Sequence, residues 1–164
     1  MAAKKRTARR SLPHLTQKGD VHMVDVGVKA ATKRRAQAEA IITLSPKAIR
    51  ALKNDSLKKG DALATSKIAA ITGAKQTPQL IPLCHPLALT HVSVDLRIAR
   101  THVALVVTTE TTGPTGVEME AMVGASAGAL ALYDMVKSLD RGATFHVALL
   151  EKSGGKSGPW VRKS

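Results

Sequence analysis

Residues 92–107, VSVDLRIARTHVALVV, contain two runs with large apolar side chains at every second position, and a short polar link joins the runs. Every second residue from Val92 to Ile98 is apolar, and the same period returns from Val103 to Val107. Successive side chains of a strand point to opposite faces, so a period of two is typical of strands. The stretch therefore predicts an antiparallel hairpin whose link is Ala99–His102.

Helix signals lie on both sides of this hairpin. Ser45-Pro46 combines a favoured N-cap residue with a proline in the first helical turn, and Asp61 is a second N-cap candidate. After the hairpin, the turn 112–116 precedes a long run rich in Ala and Met, which predicts another helix. In chain order, the expected elements are a strand over 36–44, a helix that starts at 46 and ends near 54–57, a helix over 61–75, the two strands of the hairpin, a helix over 117–139 and a strand over 145–149.

The order β-α-α-β-β-α-β predicts the fold class. Without one helix it is the split βαβ pattern, which indicates an α+β fold with a ferredoxin-like antiparallel sheet and helices packed on one face. The other face of such a sheet stays open, so we expect an oligomer.

A proline-rich segment precedes the hairpin. Residues 77–86 hold three prolines. Because proline lacks an amide donor and biases the preceding residue toward extended conformations, the segment predicts neither regular helix nor central strand. We expect a packed loop that shapes a site.

The composition fits one domain with a core of aliphatic side chains. The 164 residues are 44% hydrophobic, which excludes an intrinsically disordered chain. Aromatic residues make up 2%, so binding of single-stranded nucleic acid by base stacking is nearly excluded. The single cysteine permits no internal disulfide and indicates a reducing compartment. We expect neither a membrane span nor a secretory signal.

The formal net charge of +13 suits an acidic ligand, a nucleic acid or a membrane surface. Residues 1–19 hold six basic and no acidic residues, and residues 152–164 hold four basic and no acidic residues. All 12 acids lie between these ends, so most of the basicity is terminal. A basic leader of this kind is either a disordered tail or an organellar transit peptide.

The expected long helix carries charged residues at both ends. Asp134 and Lys137 share one face of it, and the run Ala127–Val136 contains no other charge. The pair is either an exposed ion pair or faces a pocket or interface, where the lysine could serve acid–base chemistry. Glu118 and Glu120 open the helix and are explained either by the helix dipole or by a pocket that takes one of them.

Two further features could bind a ligand. His85, beside Cys84 in the proline-rich segment, is either a packed histidine or a hydrogen-bond donor held for a ligand. A single cysteine without a nearby histidine pair does not make a zinc site. The run Lys152–Gly158 contains Gly-Lys-Ser, but Leu150 stands where a P-loop needs glycine. That run is therefore either a flexible end or a loop that wraps phosphate oxygens.

Together these segments resemble the MoaC family of molybdenum cofactor biosynthesis. The resemblance spans about residues 22–158, and its motifs follow one another in the family's order. It implies one catalytic domain over 22–158, a basic disordered tail over 1–21 and a short extension over 159–164. The motifs are His22–Val26, Lys59–Asp61, Leu80–Leu87, Thr115–Ala121, Tyr133–Lys137 and Lys152–Gly158.

The resemblance also implies an activity. The expected enzyme is a lyase that converts (8S)-3′,8-cyclo-7,8-dihydroguanosine 5′-triphosphate into cyclic pyranopterin monophosphate and releases pyrophosphate. It would be a cytoplasmic homohexamer, a trimer of dimers with active sites between subunits, without a cofactor, a metal, a nucleic-acid partner or a membrane partner. The implied catalytic residues are Asp134, Lys59 and Lys137. The implied substrate-binding residues are Leu83, Cys84, His85, Glu118, Met119, Glu120, Lys75, Lys152 and Lys156.

The sequence departs from the family pattern at a few positions. Lys67 stands where arginine is common, Gln76 replaces a commonly basic residue, and Ala70 stands where glycine is frequent. Arg34 lies near a family arginine, in an unusually basic stretch. A lysine lacks the bidentate fork of arginine, so these departures bear on phosphate binding rather than on the catalytic positions.

Two alternatives of other classes stay open at this point. The first is a small basic RNA-binding protein whose acid-free ends contact phosphates. The second is a nucleotide-binding module that has lost catalysis.

Overall fold

A computed structural model describes residues 20–163 of the chain. Of the expected basic tail over 1–21, residues 1–19 lie outside the described part of the chain. The described residues form one five-stranded sheet with helices packed against it. In chain order the elements are β1 (Thr32–Thr43), α1 (Pro46–Lys53), α2 (Ala62–Lys75), α3 (Thr77–Leu80), β2 (Leu89–Ile98), β3 (His102–Gly113), α4 (Glu118–Val136), β4 (Thr144–Ser153) and β5 (Trp160–Val161).

The sheet has the strand order β2-β3-β1-β4-β5, and all of its pairings are antiparallel. The hairpin of β2 and β3 pairs Val94 with Val107, which confirms the expectation from the alternating stretch. β1 lies in the middle, between β3 and β4. This arrangement confirms the predicted α+β fold with an antiparallel sheet.

The two N-caps that the sequence predicts begin α1 and α2. The Ser45 hydroxyl accepts a hydrogen bond from the amide of Ala48, and Asp61 Oδ1 accepts from the amides of Leu63 and Ala64. Each cap satisfies amides that have no partner inside the helix.

The core lies between the sheet and α4. Alternate residues of β1 from Ala36 to Ile42 are fully buried, and so are Ala121, Ala125 and Leu132 on α4. The alanines among these positions let α4 lie close to the sheet. None of the helices within residues 20–163 is long and apolar enough to cross a membrane.

α2 packs antiparallel to α4 at a seam of small residues. A Cβ atom on Gly73 would lie 2.6 Å from the Cβ of Ala127, and one on Gly128 would lie 3.0 Å from the Cβ of Ala70. In the same seam the hydroxyl of Ser66 donates to the carbonyl of Gly128 at 2.8 Å. The C-terminal end of α2 therefore lies beside the N-terminal half of α4.

The structure differs from the sequence expectations at several boundaries. β1 begins at Thr32 rather than at Ala36, and α4 ends at Val136 rather than at Leu139. The exclusion of helix from the whole proline-rich segment is wrong for α3, because Pro78 sits in its first turn, where no amide donor is needed. β5, which the sequence does not predict, pairs with the end of β4.

Removal of a core side chain from α4 should have a large effect on stability. Leu132 is 0% exposed, so Leu132→Ala should lower the free energy of unfolding by about 2–5 kcal/mol, through lost burial and a cavity. Leu80→Ala is the matched control, because Leu80 is 59% exposed and its truncation should cost under about 1 kcal/mol. Urea unfolding of both variants measures the difference, and equal midpoints would contradict the core described above.

Candidate functional site

The site residues that the sequence suggests form two groups at opposite ends of α4. Glu118, Met119 and Glu120 lie in its first turn, whereas Asp134 lies in its last turn. A helix rises about 1.5 Å per residue, so Glu120 and Asp134 are separated by about 21 Å along the axis. We call the first group the pocket end and the second the lysine end.

The pocket end is built around a cavity of about 330 Å³. Three segments of the chain line it: residues 24–29, residues 83–87 and residues 115–120. The structure brings six of the suggested substrate-binding residues together here. They are Leu83, Cys84, His85, Glu118, Met119 and Glu120.

A hydrogen bond from His85 connects two of these segments. Its Nε2 lies 2.7 Å from the backbone carbonyl oxygen of Val24. A carbonyl oxygen can only accept, so Nε2 must carry the proton. In the neutral ring, Nδ1 is then an acceptor, and His85 both shapes the wall of the cavity and offers one polar atom.

Glu120 is the buried acid of the cavity. Its residue is 3% exposed, and its Oε2 has no hydrogen-bond partner among the described residues. Burial raises the pKa of Glu120, and the nearby Glu118 carboxylate raises it further. A buried polar atom without a partner is rare in native proteins, so Oε2 marks a place where a ligand can supply one.

Cys84 lies in the same wall as a free thiol. Burial raises the pKa of this thiol, and the negative charge of Glu120 raises it further. Nucleophilic cysteines need the opposite shift, toward thiolate at neutral pH. The shift at Cys84 is therefore opposite to the one that activates a nucleophilic thiol.

The lysine end is a triad of charges. Asp134 Oδ2 accepts from Lys59 Nζ at 2.6 Å, and Asp134 Oδ1 accepts from Lys137 Nζ at 2.7 Å. Lys59 Nζ also donates to the backbone carbonyl of Asp134 at 2.8 Å. The structure thus unites the three suggested catalytic residues, which come from the turn before α2 and the end of α4.

The two lysines control the charge state of Asp134. Hydrogen bonds from Lys137 and then from Lys59 lower the pKa of the Asp134 carboxyl to about 2. The reciprocal hydrogen bond to Asp134 raises the pKa of Lys137. All three side chains are about half exposed, so the triad is open to solvent and to a ligand.

The other basic residues that the sequence suggests do not line the cavity. Lys75 is exposed at the end of α2, which points toward the pocket end of α4. Lys152 lies near the end of β4, where its Nζ donates to the hydroxyl of Ser157, and Lys156 is exposed in the loop that follows. Lys29, which the sequence analysis did not single out, is the basic residue that does line it, three positions after the His22–Val26 motif.

Arg34 joins the loop that contains Lys156 to the pocket end. Its Nε donates to the carbonyl of Gly113 and its Nη2 to the carbonyl of Pro114, each at 3.0 Å. The guanidinium occupies the space beside Gly155, where a Cβ would lie 2.9 Å from Cζ, and Gly155 has a φ of +73°. The glycine-lysine loop is therefore folded against the turn that leads into α4.

Within residues 20–163, no group of three or more His, Cys, Asp or Glu side chains could hold a metal ion. The polar groups at the pocket end include two carboxylates, an imidazole and a thiol, and those at the lysine end are two ammonium groups around the Asp134 carboxylate. Such groups bind N–H donors at one end and anions at the other.

Comparison with known proteins finds strong similarity over nearly the whole chain. The family model described as MoaC family matches residues 23–155. The cyclic pyranopterin monophosphate synthase of Streptomyces avermitilis is 48% identical over 152 residues, which cover 92% of this chain and 89% of that protein. The protein of the same name from Streptomyces coelicolor is 47% identical over 152 residues, with the same coverage.

Proposed function

The chain belongs to the MoaC family, and from this we propose that it is a cyclic pyranopterin monophosphate synthase. The reaction converts (8S)-3′,8-cyclo-7,8-dihydroguanosine 5′-triphosphate into cyclic pyranopterin monophosphate and releases pyrophosphate. It is a lyase reaction of molybdenum cofactor biosynthesis. The two relatives are 47–48% identical to this chain over 89% of their own length, which supports this assignment.

One observation of the structure carries the proposal. Six of the nine substrate-binding positions that the motifs suggest come from two segments far apart in sequence, yet these six line one cavity. The guanine-derived ring of the substrate presents N–H donors, and carboxylates are strong acceptors for such donors. We assign the ring to this cavity, with Glu118 and Glu120 as its acceptors.

The triphosphate requires cations near the same cavity. Lys29 lines it, and Lys75, Lys152 and Lys156 belong to the elements around the pocket end. Ammonium groups stabilise the negative charge that develops on a leaving pyrophosphate. A phosphorylated ligand thus accounts for these lysines, without a nucleic acid or a membrane.

The triad supplies the proton transfers. Opening and reclosing the rings requires a proton to be delivered and removed, which lysines can do when they are held at the reacting atoms. Asp134 stays ionised at neutral pH and holds Lys59 and Lys137 in fixed positions. We assign acid–base roles to the two lysines and a positioning role at the reacting centre to Asp134.

Two subunits are needed to complete one such site. The pocket end and the lysine end of one chain are about 21 Å apart along α4, which is too far for one substrate to contact both. Between them, α4 carries no charged residue from Ala121 to Tyr133, and Leu130 is 59% exposed on its outer side. A twofold axis across the middle of α4 would set the lysine end of one subunit against the pocket end of the other.

A trimer of such dimers requires a second contact surface. The face of the sheet away from α4 offers one, with a row of ion pairs in which Glu110 meets Lys33 at 3.7 Å and Arg35 at 3.6 Å. We propose the homohexamer on this basis. We also propose the cytoplasm as its compartment, because Cys84 is a free thiol.

The reaction itself tests the function. The full chain should release pyrophosphate from the cyclised dihydro-GTP and form the cyclic phosphate in equal amount, measured by chromatography and a coupled phosphate assay. GTP itself is the matched control and should give neither product. Folded, oligomeric protein that forms neither product from the cyclised substrate would favour the binding module over the enzyme.

A further inference from the structure

Gly116 lies immediately before α4, and its neighbour in space is Glu118. Its φ lies outside the left-handed region, so the backbone does not require glycine here. A Cβ on Gly116 would lie 2.7 Å from Glu118 Cδ and 2.9 Å from Oε1, with Oε2 closer still. The carboxylate of Glu118 therefore fills the space that any side chain at position 116 would occupy.

Other contacts do not explain why Glu118 folds back in this way. In the part of the chain that the structure describes, its carboxylate has no hydrogen bond or ion pair. Gly116 and Glu118 both line the 330 Å³ cavity at the pocket end. The free space beside Gly116 is what allows the carboxylate to stay at the wall of that cavity.

We propose that Gly116 is a positioning residue, whose missing side chain lets Glu118 present its carboxylate to the ring of the substrate. The inference rests on the proposed function, because it needs a ligand with N–H donors in the cavity. Glu118 acts on the ring in the bound substrate and in the transition state alike. Loss of such an interaction raises KM and leaves kcat nearly unchanged.

An alanine at position 116 should separate this role from a purely structural one. The atom that it would displace is the far end of a flexible side chain, so the fold can adapt by turning Glu118 away. We expect Gly116→Ala to melt at the wild-type temperature. Its KM should rise roughly 10- to 100-fold, the range that corresponds to losing a hydrogen bond to a charged group.

Two control variants make the test specific. Gly142→Ala places the same methyl group in a turn where its nearest neighbour would be Asp140 Oδ1 at 3.8 Å, and its KM should not change. Glu118→Ala should raise KM by itself, and adding Gly116→Ala to it should change KM little further. Steady-state kinetics on the four variants and wild type, with thermal unfolding of each, completes the set.

The outcomes are distinct for the inference and for the function. If Gly116→Ala raises KM as much in the Glu118→Ala background as in wild type, the glycine acts through the backbone and the inference is wrong. A wild-type KM in Gly116→Ala, or a melting temperature well below that of Gly142→Ala, also overturns it. Wild-type protein that makes no product overturns the proposed function, and the inference with it.

Discussion

Asp134→Asn should lower kcat by about 100- to 10,000-fold, the range that positioned acid–base groups contribute in enzymes. The amide keeps the shape of the side chain but loses the charge that holds Lys59 and Lys137 at 2.6 and 2.7 Å. Without that charge each ammonium is free to move away from the reacting atoms. Product formation from the cyclised substrate under saturating conditions measures the loss.

The fold should survive this substitution, because the Asp134 side chain is 54% exposed and is not part of the core. Asp95→Asn is the matched control, because Asp95 is exposed on β2 and belongs to neither the cavity nor the triad. Its kcat should equal that of wild type. An Asp134→Asn enzyme within about threefold of wild type would remove the triad from the proposed mechanism.

The pKa of Asp134 constrains the pH profile of the wild-type enzyme. The carboxyl titrates at about 2 instead of 3.8, so the charged triad is intact above pH 4 and is lost only as the pH falls through about 2. An acid limb in the rate profile above pH 4 must therefore come from another group. Glu120, whose pKa burial raises, is the nearest candidate in the cavity.

Mixing two inactive variants should restore activity if the site is shared between subunits. Asp134→Asn damages the lysine end, and Glu120→Gln damages the pocket end without changing its size. In a symmetric dimer of one chain of each kind, one site carries both substitutions and the other carries neither. Random coassembly should therefore recover about a quarter of the wild-type rate, and mixed dimers isolated from the unmixed ones about half of it, from two preparations that are each nearly inactive.

The same experiment contains its own negative control. Asp134→Asn and Lys59→Ala both damage the lysine end, so every mixed dimer has two defective sites and no activity should return. Coexpression with two different affinity tags ensures that only mixed assemblies are assayed. Recovery in neither mixture would mean that each chain builds a site by itself, against the proposed arrangement.

Much of the fold could be predicted from local patterns. The N-caps at Ser45 and Asp61 and the alternating hairpin follow from hydrogen bonding and side-chain period, which act over a few residues. α3 and β5 could not be predicted in this way. The first depends on Pro78 falling in a first turn, and the second depends on the edge of β4 being free to pair.

The sequence predicts which residues belong to the site, but it does not predict how they are arranged in space. The motifs pointed to the residues of both groups, and the structure gathers nine of them into the cavity and the triad. The roles of Lys29 and Gly116 depend on which surfaces meet in three dimensions, for which a single sequence holds no local signal. The separation of the two groups, in contrast, was already implied by the length of the helix pattern between Glu120 and Asp134.

The length of α4 has a further consequence, because it sets a fixed distance within the molecule. Its rigid backbone sets the spacing between the wall of the cavity and the triad, and the seam with α2 keeps it from sliding. One added turn would move the two ends apart by about 5.4 Å, and in the proposed dimer both shared sites would lose their alignment together. The number of residues between Glu120 and Asp134 therefore constrains the chain independently of which side chains those residues carry.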